Sequence, residues 1–456
     1  MIATDANSST APARLPWRIG VAYGFATLGT GSFIVVPQLF LLFFMTDQLG
    51  ISPAWASLTL LLPKLWEFLT DPYIGLRSDR ANTRWGRRHP FMFVGALSLS
   101  LGIAMMFNVP QLETWEARWL YITIMFILAT TGYAVFIVPY TALLGELTPS
   151  PQERTRIVAI RMAFLSISLL IAAIVWPEIL KSLGGGRSAY AMVGWGVGGL
   201  CLVAMLVTVI GTLRAPQVRR PVAQESSLAS QLRGVASDKA FLSLAAAYVL
   251  HMLAQSASSA MLAYVGKYLS PLGGNFLIIS FGVSTTASIV AMAVWPVIGR
   301  WLSKRQCFIT GSLIGALGYL VCTYGLVHST PLLILGSVMC GAGFAAGQLF
   351  GFSLLPDVID ARRARRATHD DGAFTGVWVG LEKLGLALGA SAAGLAIGWF
   401  GFIASTGETV SQPPMALSAM LWLYGYVPAV LMSLAVWPLM TSSLKSMEAR
   451  ASFSAE

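Results

Sequence analysis

The sequence predicts an all-α membrane protein in which twelve transmembrane helices form two halves of six. Three observations support this fold class. The chain is 56% hydrophobic and only 11% charged over 456 residues, which is too apolar for a soluble domain with a polar surface. Apolar runs of about 20 residues, the length that spans a bilayer, recur from end to end, whereas a membrane β-barrel would show short alternating segments. Lysine and arginine lie mostly between these runs.

The predicted spans follow the apolar runs in order along the chain. Charged segments or segments rich in glycine and proline separate them, and each run is long enough to cross the hydrocarbon core. We predict helices near 19–45, 54–76, 91–109, 119–144, 157–180, 189–213, 240–264, 275–299, 307–327, 332–354, 372–400 and 416–440.

One long hydrophilic segment divides this series of spans into two bundles. The bundles repeat local chemistry, since "PYIG" at 72–75 and "PVIG" at 296–299 each end a span and precede a basic loop. This repetition predicts a duplicated architecture, and two six-helix bundles around a central cavity are typical of transporters. The predicted parts are a tail 1–18, a first bundle 19–213, a linker 214–239, a second bundle 240–440 and a tail 441–456.

The distribution of Lys and Arg predicts the orientation in the membrane. Of the 30 such residues, 23 lie in the two tails and in alternate loops, while the other loops hold four. Because cytoplasmic loops carry this excess, we expect both termini and the linker in the cytoplasm and the protein in a bacterial inner membrane. The net charge of +10 therefore does not indicate a nucleic-acid partner. The expected partners are membrane lipid and a small-molecule substrate, and nothing requires more than a monomer.

Two carboxylates lie inside the second span. Glu67 and Asp71 are four residues apart, so they share one face of a helix. A charge at that depth costs at least about 2.5 kcal/mol, which implies a partner or a water-filled cavity. The pair could share a proton or hold a cation between them, and either makes it a coupling site for H⁺ or Na⁺. The alternative is a structural ion pair with Lys64, one turn earlier.

Two basic residues lie within other spans. Lys383, near the middle of the eleventh span, needs a carboxylate, and the acidic pair of the second span is the obvious candidate; the alternative is snorkelling to the interface. Glu382 points elsewhere on the helix and either pairs with another group or is protonated. The planar guanidinium of Arg161 suits the hydroxyls or a carboxylate of a ligand, with an ion pair to Glu146 as the alternative.

Three loops on the predicted cytoplasmic side mix acids with bases. Such loops can form salt bridges that hold this side closed, although positive-inside charge alone also explains the arginines. The candidate gate residues are Asp79, Arg80, Arg84, Arg87, Arg88, Glu146, Asp357 and Asp360.

Several other classes of function are not favoured by the sequence. The four cysteines lie in or beside apolar runs without metal-ligand spacing, so we expect no disulfide, structural metal or cofactor other than the coupling ion. No HExxH motif and no paired Cys/His set is present, so we do not expect an enzyme. A non-transporting sensor remains the alternative from a different class.

Four segments resemble the glycoside–pentoside–hexuronide:cation symporters, a branch of the major facilitator superfamily that includes the melibiose permeases. The segments are "DPYIGLRSDRANTRWGRRHPF", "PYTALLGELTPSPQERTR", "LLPDVID" and "GLEKLGLALG", in the same order over both halves. The resemblance implies the major facilitator fold and cation-coupled symport of a sugar by alternating access. It also implies a cation site at Glu67 and Asp71 with Lys383 beside it, and a sugar contact at Arg161.

The sugar site departs from this family pattern. Galactoside-binding members carry an acid in helix one and another in helix four, where this chain has Gly31 and Ile137. The sugar-stacking aromatic positions of helices four and ten correspond to Thr141 and Gln348. An α-galactoside is therefore not expected, and the alternative substrate is an amphipathic solute such as a lysolipid or a steroid-like glycoside. The candidate substrate-binding residues are Arg161, Lys64, Gly31, Ile137, Thr141 and Gln348.

The cation site departs from the pattern as well. Glu67 replaces the usual aspartate, and Val379, one turn before Lys383, supplies no oxygen ligand. A sodium ion needs several oxygen ligands whereas a proton needs one carboxylate. The sequence thus favours H⁺ over Na⁺ as the coupling ion.

Overall fold

The computed structural model describes residues 15–81, 83–148, 150–215, 235–366, 371–408 and 410–440. These residues form twelve long helices and no strand, as the sequence predicts. The helices are α1 Trp17–Gln48, α2 Pro53–Arg80, α3 His89–Phe107, α4 Trp115–Leu147, α5 in the consecutive pieces Pro151–Leu170, Ile171–Val175 and Trp176–Ser182, α6 Arg187–Thr212, α7 Lys239–Tyr268, α8 Asn275–Ile298, α9 Lys304–His328, α10 Thr330–Arg366, α11 Asp371–Trp399 and α12 Pro414–Leu439.

Eleven of these helices are long and apolar enough to cross a membrane. The remaining helix, α2, falls short because its charged residues lower its hydropathy. Three predicted boundaries were wrong at charged helix ends: α2 continues past position 76 to Arg80, α5 begins before position 157 at Pro151, and α10 continues past position 354 to Arg366. The charged ends of these helices extend beyond the apolar run, and hydropathy alone does not detect such ends. Most of the linker, 216–234, lies outside the described residues, as do the tails before 15 and after 440.

Each half packs its own six helices together. In the first half α1 contacts α5 and α6, and α3 contacts α4 and α6; in the second half α7 contacts α11 and α12, and α9 contacts α10 and α12. Among the described residues, the main helix contacts between the halves are those of α1 with α7, α2 with α11, and α5 with α8. Side chains on these six helices are thus well placed to act between the halves.

The two ends of the bundle differ in charge. We call the end where α1 begins and α2 ends the basic side, because Arg77, Arg80, Arg84, Arg87 and Arg88 lie there. The other end, where α1 ends and α2 begins, is called the opposite side.

Glycine allows α3 and α4 to approach closely, as small residues do between membrane helices. A Cβ atom at Gly132 of α4 would lie 2.3 Å from the backbone nitrogen of Leu99, whereas a Cβ at Gly145 of the same helix meets nothing within 4 Å. We expect Gly132→Ala to destabilise the protein by about 1–3 kcal/mol through overpacking. Thermal unfolding in detergent should show a lower Tm for this variant and an unchanged Tm for the control Gly145→Ala; equal Tm values would contradict the packing.

Candidate functional site

Charged side chains of α2 and α11 meet within the bundle. The Lys383 Nζ of α11 lies 2.7 Å from Asp71 Oδ2 and 3.3 Å from Glu67 Oε2, both on α2. Lys64 Nζ lies 2.9 Å from Glu67 Oε1, three residues along the same helix. We call these four residues the coupling cluster. Lys383 thus joins the two halves, since it belongs to α11 of the second half and its carboxylate partners belong to α2 of the first.

The coupling cluster is electrically balanced but incompletely satisfied. Its two carboxylates and two ammonium groups cancel when all are ionised. Glu67 is fully buried, whereas the side chain of Asp71 is 28% exposed. Glu67 Oε2 and Asp71 Oδ1 are buried atoms without a hydrogen-bond partner in the described part of the chain. Glu67 Oε2 therefore has only the ion-pair contact with Lys383, and Asp71 Oδ1 accepts a hydrogen bond from neither lysine.

Arg161 of α5 makes a different set of contacts. Its guanidinium carbon lies 5.3 Å from the centre of the Tyr140 ring, a cation–π contact. Within the described residues it forms no ion pair, and its Nε has no hydrogen-bond partner. The sequence-based alternative, a pair with Glu146, is not found, because Glu146 is bound by other arginines. The guanidinium therefore remains available to a ligand.

Tyr23 holds Tyr140 beneath Arg161, and sequence reasoning missed both tyrosines. Tyr23 of α1 stacks on Tyr140 with ring centroids 4.3 Å apart. Each hydroxyl donates to the backbone carbonyl of the other residue, over 3.1 Å and 3.0 Å. This reciprocal pair joins α1 to α4 and fixes the ring on which the guanidinium rests.

The other predicted substrate residues do not all lie together. Gly31 packs in the interface of α1 with α5, where a Cβ atom would lie 2.7 Å from Ser168 Oγ. Ile137 is half-buried against the core of the first half, and Thr141, one turn later, is exposed. Gln348 is hydrogen-bonded to α7 and α11 in the second half. Their roles in binding substrate stay predictions.

Four of the predicted gate residues form ion pairs on the basic side. Glu146 at the end of α4 accepts from Arg87 over 2.7 Å and from Arg88 over 3.0 Å. Lys304 of α9 pairs with Asp357 of α10 over 2.6 Å. The first pairing lies within the first half and the second within the second half, so neither joins the two halves. Of the remaining predicted gate residues, Arg80 and Arg84 are exposed, and Asp360 lies one turn after Asp357. Asp79 is in the last turn of α2, and its side chain lies outside the described residues.

On the opposite side a buried ion pair joins the halves, and sequence reasoning did not find it. Asp47, in a π-helical turn at the end of α1, is fully buried and accepts from Lys267 Nζ of α7 over 2.7 Å and 2.8 Å. The Tyr268 hydroxyl donates to the same carboxylate over 2.5 Å. We call Asp47, Lys267 and Tyr268 the opposite-side latch. The only sequence signal was an acid in the loop following the first predicted span.

Further contacts reinforce this closure. The Tyr264 hydroxyl lies 2.6 Å from Thr46 Oγ1, and backbone hydrogen bonds link positions 46–50 to residues 405–407 between α11 and α12. A cavity of about 530 Å³ adjoins the latch; its lining includes Phe40, Phe43 and Lys181. This cavity shares no residue with the coupling cluster.

Comparison with known proteins agrees with this architecture. The family model described as MFS/sugar transport protein matches residues 22–446. The chain belongs to this family. The resemblance to the glycoside–pentoside–hexuronide:cation symporters is thereby confirmed, and so is the major facilitator fold. This member of the MFS/sugar transport family is a multi-pass membrane protein.

Its relatives are distant but extend over almost the whole chain. It is 26% identical over 512 residues to the uncharacterized symporter sll1374 of Synechocystis, covering 93% of both chains. It is 23% identical to the isoprimeverose transporter of Lactiplantibacillus pentosus, covering 94% of this chain and 90% of that one. The glucuronide carrier protein homolog of Escherichia coli is also 23% identical, over 87% and 86% of the two chains.

Solved structures support the fold. A bacterial homolog of the human lysosomal transporter Spinster, inward-facing and unoccupied, superimposes with a TM-score of 0.67 at 14% identity, covering 94% of this chain and 96% of that one. The nucleoside transporter NupG gives a TM-score of 0.65 at 15% identity, covering 93% and 99%. At these identities the likeness concerns the fold alone.

Proposed function

We propose that this MFS/sugar transport family member is a proton-coupled symporter of a sugar or glycoside, working by alternating access. The observation that carries the proposal is the bridging of Glu67 and Asp71 by Lys383 from the other half. An ion-binding event at α2 would change a contact on which the packing of the halves depends. Coupling requires such a link between ion occupancy and conformation.

The charge balance of the coupling cluster supplies the mechanism. With all four groups ionised, Lys383 attracts α2 to α11. A proton on Asp71, the more accessible carboxylate, removes one negative charge and weakens this attraction. The cluster then carries a net positive charge, which raises its free energy in low-dielectric surroundings until the proton leaves. Movement of the halves is therefore tied to proton binding and release.

The geometry favours a proton over a sodium ion. A sodium ion would need several oxygen ligands, while both carboxylates are engaged by lysines and Val379 offers none. One carboxylate oxygen without a partner is enough for a proton.

The sugar class rests on the family and on the names of relatives. One relative is named an isoprimeverose transporter and another a glucuronide carrier protein homolog. We extend this class to the present chain, with Arg161 as a substrate contact. We further propose that the basic side faces the cytoplasm of a bacterial cell, that the protein lies in the inner membrane, and that a monomer is sufficient.

Proton movement on addition of sugar tests the proposal. Purified protein in liposomes containing a pH-sensitive dye would be exposed to neutral pentosides and hexosides and to their uronide counterparts, without a sodium gradient. We expect at least one sugar to acidify the lumen. Uptake that needs sodium and moves no proton would contradict proton coupling. Failure of every sugar, with or without sodium, would contradict sugar transport itself.

The opposite-side cavity supports a second candidate, transport of an amphipathic solute. Its lining includes the aromatic rings of Phe40, Phe43 and Tyr190, which could accept an apolar group. The same liposome assay would be run with an alkyl glycoside and with a lysolipid. Proton movement with the lysolipid alone would favour this candidate over the sugar symporter.

A further inference from the structure

A polar cluster in the second half lies beside the coupling cluster without being part of it. The Tyr248 hydroxyl of α7 lies 2.9 Å from Glu382 Oε1 of α11 and 3.0 Å from Gln348 Oε1 of α10. The Gln348 amide nitrogen donates to the same Glu382 oxygen over 3.3 Å. Side chains of two other helices thus converge on one carboxylate oxygen and fix its position.

Glu382 differs from its neighbour Lys383 in what it contacts. Successive helical residues are about 100° apart, so Lys383 reaches α2 while Glu382 lies against α7 and α10. In the part of the chain that the structure describes, Glu382 forms no ion pair and its Oε2 has no hydrogen-bond partner. A carboxylate within a membrane span that lacks a countercharge is costly, and this marks it as a functional group.

The protein holds this carboxylate against a rigid aromatic support. Trp378, one turn before Glu382, is fully buried and stacks on Tyr248 with centroids 4.3 Å apart. A Cβ atom at Gly351 would lie 2.9 Å from the Tyr248 ring and 3.3 Å from Trp378, so a glycine is needed for these rings to pack as they do. Tyr248 therefore cannot move away from Glu382 without disturbing the packing of three helices.

We propose that Glu382 binds substrate on the second half of the protein, with Oε2 accepting hydrogen bonds from adjacent hydroxyls of a neutral sugar. An ionised carboxylate is an acceptor only and can receive two hydroxyls at once, whereas Gly31 and Ile137 can receive none. Tyr248 and Gln348 act as positioning residues, because they occupy Oε1 and leave Oε2 for the substrate. The proposal rests on the sugar transport proposed above and names the group that selects the substrate class.

The charge of Glu382 also predicts selectivity. A carboxylate on the sugar would be repelled by Glu382, since like charges at short range disfavour each other. Neutral sugars are thus preferred to uronides at this subsite.

The variant Glu382→Gln tests the assignment because it keeps the shape and removes the charge. Binding of isoprimeverose, methyl β-D-glucoside and methyl β-D-glucuronide would be measured by calorimetry on the purified protein. We expect the neutral sugars to bind at least about tenfold more weakly, since charge-assisted hydrogen bonds are about twice as strong as neutral ones. The preference for neutral over acidic sugar should fall. The control Glu178→Gln changes an exposed glutamate on the opposite side and should change neither quantity.

Each outcome has a distinct meaning. Unchanged affinity and preference in Glu382→Gln would overturn this inference while leaving sugar transport intact. Retained affinity with loss of proton-driven accumulation would make Glu382 a coupling residue and also overturn it. If the unsubstituted protein binds no sugar, the proposed function fails and this inference with it. Should Glu382→Gln not fold, Tyr248→Phe serves instead, because a positioning role predicts weaker binding of the neutral sugars with glucuronide binding unchanged.

Discussion

Asp71→Asn is expected to abolish accumulation of sugar against its gradient while leaving exchange of sugar across the membrane. Asparagine resembles a permanently protonated aspartate, so the variant can change conformation but has no proton to release. One charge moving through 100 mV contributes about 2.3 kcal/mol, which supports a roughly 50-fold accumulation. The variant should equilibrate its substrate and accumulate none.

Two assays in the same proteoliposomes separate coupling from binding. Uptake driven by an imposed potential and pH gradient would be compared with counterflow, in which loaded unlabelled sugar draws in labelled sugar. Retained counterflow shows that Asp71→Asn is folded and binds substrate. Glu178→Gln provides the control, because its exposed side chain lies outside the coupling cluster. Undiminished accumulation by Asp71→Asn would rule out Asp71 as the coupling carboxylate.

Asp47→Asn is expected to open the opposite side of the protein. The buried carboxylate of Asp47 holds Lys267 and Tyr268 of the other half, so this contact stabilises the closed arrangement of that side. Loss of the charge-assisted hydrogen bonds destabilises the closed state by about 2 kcal/mol relative to the open state. This shifts the equilibrium toward the state that is open on the opposite side by roughly 30-fold.

A single cysteine on the opposite side reports this shift. Ser57 of α2 is buried, and its carbonyl accepts from Ser391 of α11 over 3.0 Å, so Ser57→Cys should be protected while that side is closed. Labelling by a membrane-impermeant maleimide should accelerate when Asp47→Asn is added. The control Glu116→Gln, an exposed change on the same side, should leave the rate unchanged. Equal rates in all three proteins would mean that the latch does not hold this side closed.

Lys267→Gln gives an independent test of the same latch. It should accelerate labelling as Asp47→Asn does, because either substitution breaks the same ion pair. The double variant should add little further, since neighbouring partners in one interaction are not additive. Fully additive effects would show that the two residues act separately.

The sequence by itself determined the class of protein, the number of helices and the candidate members of the coupling cluster. Span length and hydropathy are local properties, so twelve helices could be recognised without knowing how they pack. The spacing of Glu67 and Asp71 placed both on one helical face, and the cost of burying them required a partner. Lys383 was expected for the same reason and is found there.

Apart from the pairing of Lys383 with α2, only the tertiary structure decided which distant residues meet. Asp47 pairs with Lys267 220 positions away, and Tyr248 reaches Glu382 134 positions away. The helical period relates residues a few positions apart, and it says nothing about which faces of two different helices touch. For the same reason the sequence did not predict that Gly31 lies in the α1–α5 interface, because this position depends on how those two helices pack. Contacts between faces are set by packing of the whole bundle, and these contacts create both the opposite-side latch and the second polar cluster.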